Sequence, residues 1–285
     1  MGFGSDVRLL MINADDFGLC GDANSATIEG LESGVFTSAT VMVPAPGFTE
    51  AAAFAAGNPH IDIGVHLTLN SEWPDWRWGP VLGARRVPSL VDKSGFFRAQ
   101  VHSLFAYAKL DEIEMELRAQ VDCALDAGID VSHLDCHMGP LNLRADYHAI
   151  YRALAQSYRL PIRIPPRPMM RRLGMTSALT QLDADGILYP DNFISGVRRT
   201  PKTTDSSWRA VLESLPAGIS EIYCHPVHPG EEIRRFASDA GQRIADFDFF
   251  RSNATALRDS MELRAISYRD LRAAMRASDA SVLSP

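Results

Sequence analysis

Leu9-Leu10-Met11-Ile12-Asn13-Ala14-Asp15-Asp16-Phe17-Gly18 decides how the rest of the chain is read. Its first half is a continuous apolar run, the pattern of a fully buried strand. Its second half stops on two adjacent carboxylates, after which Gly18 and Gly21 let the backbone turn. Neighbouring side chains at a strand end point in different directions. One carboxylate of such a pair can ligate a metal while the other stays free as a base. An Asp-Asp pair after a strand is also an ordinary turn, so its meaning depends on what other strands deliver.

Outward from this stretch, apolar runs alternate with helical patterns. Strands are predicted at Ala39–Val43, Ile61–Leu69, Val131–His137, Leu160–Ile164 and Ser220–His225, with a short one at Leu263–Ile266. Helices are predicted at Asp22–Ser33, Ala51–Ala56, Asp111–Ala127, Tyr147–Tyr158, Asp248–Asp259 and Tyr268–Ala277. In the third of these, Ile113, Leu117, Val121, Ala124 and Leu125 share one face. Near 70–100 and 167–207 the pattern dissolves into long loop excursions. Apolar strands alternating with helices imply α/β class, a parallel sheet with both faces covered. About seven such units in 285 residues fit a closed, possibly incomplete (β/α) barrel better than an open sheet, one domain spanning residues 1–285. In such barrels chemistry gathers at the carboxyl ends of the strands.

Composition bounds the function. The chain is 46% hydrophobic and 22% charged, ordinary for a globular protein with an ample core. A net charge of −7 and no Lys/Arg run argue against nucleic acid as a partner. No apolar run approaches the roughly 18 residues of a membrane span. Met1–Asp6 carries neither a basic nor an apolar leader segment, so a cytoplasmic location is expected. Cys20, Cys123, Cys136 and Cys224 are scattered, which argues against disulfides and structural zinc. Each reads as a small buried hydrophobe, with Cys136 and Cys224 expected near one cavity.

Other strand ends add imidazoles. His66 lies near the end of its strand, His137 at the end of the next, and His225 at the end of a late one. Asp plus two His suits a divalent cation with positions left open for water and substrate. A free carboxylate alongside can take a proton from water, and a histidine opposite can protonate a leaving group. Asp135, two residues from His137, is a candidate to orient it. His228 is an alternative acid to His225. Trp73, Trp76 and Trp78 are candidates for an aromatic platform over the barrel mouth. His60, His102 and His148 have no motif around them and read as surface residues.

At Asn13-Ala14-Asp15-Asp16-Phe17-Gly18, Thr37-Ser38-Ala39-Thr40, Gly64-Val65-His66-Leu67-Thr68, His133-Leu134-Asp135-Cys136-His137 and Cys224-His225-Pro226, the chain resembles the YdjC-like carbohydrate deacetylases. That group includes the chitooligosaccharide and hopanoid-biosynthesis deacetylases. The resemblance implies a distorted TIM-like (β/α) barrel and a metal-dependent hydrolase that removes an acetyl group from an N-acetylated sugar or oligosaccharide. It implies Asp16, His66 and His137 as metal ligands, Asp15 as general base, His225 as general acid, and Arg163 near the substrate, paired with Asp15. The cofactor implied is one divalent ion, for which zinc fits well and magnesium, manganese or cobalt stay open. Where relatives carry a histidine-rich run, this chain has Met138-Gly139-Pro140-Leu141-Asn142, which points to a smaller or differently shaped amide or ester. The alternatives are a hydrolase of another amide or ester, an iron oxygenase using the same ligands, and a non-catalytic carbohydrate-binding barrel. The expected partner is a small-molecule carbohydrate, and a homodimer is an open alternative to a monomer.

Overall fold

Strand β1 (Arg8–Phe17) is buried along nearly its whole length, and the sheet grows from it. The computed structural model describes residue 4 and residues 6–282. After β1 come α1 (Gly21–Glu32), β2 (Ser38–Val41), α2 (Phe48–Gly57) and β3 (Ile63–Leu67). An irregular stretch then leads to α3 (Val101–Tyr107), α4 (Leu110–Asp126), β4 (Val131–Cys136) and α5 (Ala145–Tyr158). Next are α6 (Arg167–Arg172), α7 (Thr176–Ala184), β5 (Asn192–Ile194), α8 (Thr204–Glu213) and β6 (Gly218–Cys224). The described chain ends with α9 (Glu231–Phe236), α10 (Ala240–Ser260), β7 (Arg264–Ala265) and α11 (Tyr268–Val282).

The strands run in the order β4-β3-β2-β1-β6-β5, with every pairing parallel. β6 covers one edge of β1 from Arg8 to Ala14. β7 takes the start of the other edge, at Leu9 and Leu10, and β2 takes its end. The result is a curled parallel half-barrel. Among the described residues no ladder joins β4 to β5, so the expected TIM-like closure is not observed in full.

The expected strand Leu160–Ile164 is instead an extended segment with one bridge, Leu134↔Ile162. Pro161 has no N–H to give a ladder and Pro165-Pro166 follow at once. The segment still spans the gap. The Arg163 N–H donates to Leu134 O at 3.1 Å, and the Ile162 N–H donates to Leu188 O at 3.1 Å, four residues before β5. Residues 70–100 are largely irregular, as expected, but 167–207 contains α6, α7, β5 and the start of α8. α10 starts eight residues earlier than predicted, which matters for the site below.

Close packing of β3 on β4 leaves no room beside Gly64. A Cβ there would lie 2.5 Å from the His133 ring and 2.7 Å from its carbonyl oxygen. Gly64→Ala is expected to destabilise the fold by about 1–3 kcal/mol through overpacking. Urea unfolding of the variant against the parent checks this.

His148, expected at the surface, is buried on α5 against Tyr151, at a ring separation of 6.1 Å. Burial, with Arg152 nearby, pushes its imidazole down to about 4. An unfolded chain binds that proton below its ordinary value of about 6.5, whereas the folded chain refuses it until about 4. Stability from this residue is therefore lost as pH falls through that window. His148→Phe is expected to flatten the decline in urea midpoint between pH 6.5 and 4, and an unchanged decline would contradict this.

Candidate active site

At the carboxyl end of β1 the pairing with β2 shifts register between Ala14 and Phe17. Asp16, inside that irregularity, has φ 63°, a left-handed conformation uncommon outside glycine. Bulges of this kind re-aim side chains. Here the bulge turns two sequence neighbours toward one cavity. The motif residues around it explain the placement. The Asn13 side-chain amide donates to Asp15 Oδ1 at 2.8 Å and to Thr40 Oγ1 at 3.0 Å. Ser38 Oγ donates to Asn13 Oδ1 at 2.6 Å, so β2 fixes the aspartate end of β1.

Asp16, His66 and His137 present ligand atoms that all lie within 4.8 Å of one another, and all three residues are buried. Asp16 Oδ1 stands 3.4 Å from His66 Nε2 and 3.3 Å from His137 Nδ1. The other nitrogen of each ring is held from outside. His66 Nδ1 pairs with Asp135 Oδ1 at 2.6 Å, and Thr40 Oγ1 donates to the same carboxylate at 2.9 Å. His137 Nε2 pairs with Glu72 Oε2 at 2.9 Å. A carboxylate on the far nitrogen fixes the tautomer and leaves the near one free to bind a cation.

Asp135 thus orients His66, not His137. The β3–β4 register places Asp135 directly opposite His66, a cross-strand relation that spacing along one strand does not reveal. Glu72, in the irregular stretch after β3, had no sequence signal.

Asp16 Oδ1 is buried and makes no hydrogen bond. A bare carboxylate oxygen between two imidazoles is costly unless something cationic meets it. Against burial, Asp135 lifts His66 to about 10 and Glu72 lifts His137 to about 9, so a metal taken up here displaces the protons on the near nitrogens. These residues can hold a divalent metal.

Asp15 faces a different partner. Arg163 reaches it in a bidentate pair, Nη1 to Oδ2 at 2.7 Å and Nη2 to Oδ1 at 2.8 Å. Burial raises the Asp15 carboxyl, but Arg163 overrides it and holds Asp15 below the usual range, ionised. Arg163 is buried, not a surface salt bridge, and also meets Asp135 Oδ2 at 2.7 Å and Glu221 Oε1 at 2.8 Å. Burial pushes Glu221 up to about 7 despite Arg163, and Tyr268 donates to its other oxygen at 2.6 Å. A carboxylate inside the apolar run Ile219-Ser220-Glu221-Ile222 was the available sign of a buried charge partner.

Asp15, Asp16, His66, His137, Arg163 and His225 all line one cavity of about 470 Å³. His225 Nε2 lies 3.8 Å from Asp16 Oδ2, with its side chain 29% exposed. Burial, then Arg243, holds its imidazole below the usual value. His228 pairs with Glu29 at 2.9 Å and does not line this cavity. Trp73 and Trp76 also lie outside the lining. They pack on Phe236, and Trp76 Nε1 donates to Leu19 O at 3.0 Å. Trp78 packs against Trp73 and His137. Cys136 lines the cavity but Cys224 does not, and burial pushes the Cys136 thiol up to about 12, too high for a nucleophile. Arg243, from the early part of α10, joins the lining unforeseen by the sequence.

The fold and site define an α/β half-barrel with a buried Asp-His-His group and an arginine-held aspartate beside it. The chain belongs to the YdjC-like protein family, whose model matches residues 9–258. A carbohydrate deacetylase of Brevibacillus brevis is 32% identical, with 83% of this chain and 88% of the relative aligned. One from Listeria monocytogenes is 30% identical over 92% of this chain and 99% of the relative. A crystal structure from Enterococcus faecalis, proposed to be a cellobiose-phosphate cleavage protein, superposes with TM-score 0.79 at 27% identity. It covers 93% of this chain and 99% of its own. No helix among the described residues is long and apolar enough to cross a membrane.

Proposed function

We propose that this chain is a metal-dependent hydrolase that removes the acetyl group from an N-acetylated sugar or oligosaccharide. The observation that carries the reading is the unpartnered Asp16 Oδ1 facing His66 and His137 beside an Asp15 kept ionised by Arg163. The names of the deacetylase relatives support the choice of substrate class.

Asp16, His66 and His137 would hold the cation, zinc by its donor set. When bound, the cation supplies Lewis acidity, acidifying water and polarising the acetyl carbonyl. Asp15 takes the proton of the attacking water, and Arg163 keeps its carboxylate oriented and charged for that task. His225 faces the same cavity and hands a proton to the departing amine. Simple sugar binding would need no ionised base beside a metal group.

Met138, Leu143, Ile164, Met169 and Phe193 contribute apolar lining to the cavity, which favours a second reading in which the acyl group is larger than acetyl. A panel of N-acetyl, N-butyryl and O-acetyl sugars tests both. Equal release of free amine and acetate from an N-acetyl sugar is the expected result. Release only from O-acetyl or longer-acyl substrates would replace the proposal.

A further inference from the structure

Asp16 divides its two oxygens between different tasks. Oδ1 faces the two imidazoles and has no hydrogen-bond partner. Oδ2 accepts from Arg243 Nη1 at 2.7 Å. Arg243 is itself held by two further contacts. Its Nε donates to Asp239 Oδ2 at 2.9 Å, one helical turn away. Its guanidinium carbon lies 5.4 Å from the centre of the Trp73 ring. Trp73 is in turn held edge-on by Phe236 at 5.1 Å and Trp78 at 5.8 Å. The arginine is 7% exposed, so its geometry is set by packing.

We propose that Arg243 is a positioning residue that keeps Asp16 a one-oxygen ligand, and that Trp73 and Asp239 act through it. An unrestrained carboxylate beside a divalent ion can close on it with both oxygens and fill a second coordination position. Occupying Oδ2 with a planar, permanently charged fork prevents that and keeps positions open for water and substrate. This rests on the reading of Asp16, His66 and His137 as a metal group, and is independent of which acyl substrate is cleaved.

Cobalt(II) titration of the full chain, followed by visible absorption, tests it without any turnover. Charge alone would make metal binding tighter when a neighbouring cation is removed. Arg243→Met is instead expected to bind cobalt about 10–100-fold more weakly, the usual cost of losing an outer-shell partner. Its absorption bands are expected to move as the coordination number changes. Arg243→Lys, which keeps a charged donor for Oδ2, is expected to recover most of the wild-type spectrum. Asp239→Asn lies at the surface, away from the ligands, and loss of its charge alone would weaken binding without moving the spectrum. The expected result is a shift of the cobalt bands in the same direction as in Arg243→Met, which covers the case of an Arg243 variant that does not fold.

Wild-type affinity and spectrum in Arg243→Met, or tighter binding with an unmoved spectrum, would overturn the assignment. If Arg243→Met does not fold, an unmoved spectrum in Asp239→Asn overturns it. A wild-type chain that takes up no cobalt overturns the metal reading as well. Normal cobalt behaviour with no acetate release would remove only the deacetylase reading.

Discussion

Asp15→Asn is expected to lower turnover by about 10²–10⁴-fold while leaving metal binding intact, the range that a positioned proton acceptor supplies. The substitution keeps the shape of the side chain and an oxygen for Asn13 and Arg163 to meet, but removes the basic lone pair. Asp15 is not in the Asp16-His66-His137 group, so the residues proposed to hold the metal are untouched. Arg163 retains Asp135 and Glu221, which keeps its buried charge compensated. A variant that folds, binds metal and turns over normally would remove Asp15 from the role of base.

His137→Ala is the second large effect. The ring supplies Nδ1 toward Asp16 Oδ1 at 3.3 Å and hands its other nitrogen to Glu72. Losing a direct ligand is expected to cost at least about 100-fold in metal affinity, the upper end of what outer-shell changes cost. Turnover should fall to the background rate with it. Metal content after dialysis, read beside far-UV circular dichroism, separates ligand loss from unfolding. A folded variant with full metal occupancy would contradict the assignment.

What the sequence revealed follows the range of the interactions. The buried run at Leu9–Ile12 and the paired carboxylates after it are local, so β1 and the carboxylate pair that closes it are legible directly. Strand-end histidines were readable because parallel sheets gather them at one rim. Asp135 stands two residues from His137 but pairs with His66, because its partner is set by register between β3 and β4, not by spacing. Arg243 meets Asp16 across 227 residues, from a helix whose first turns carry no clear apolar period, and nothing local announces it. β5 has three half-buried residues, too few for an alternating pattern to show. The Leu160–Ile164 run looked like a strand because its apolar content is right, and Pro161 reduced it to one bridge. The tryptophan cluster suggests an aromatic platform, but Trp73 and Trp76 lie outside the cavity lining, and Trp73 packs against Arg243.

The most direct test of the account is acetate release from N-acetylated mono- and oligosaccharides by one preparation in three states: as purified, stripped by chelator, and restored with zinc, cobalt or magnesium. Release that disappears on stripping, returns with metal and is absent in His137→Ala is the predicted result. Equal release from stripped and restored protein, or from His137→Ala, would contradict it.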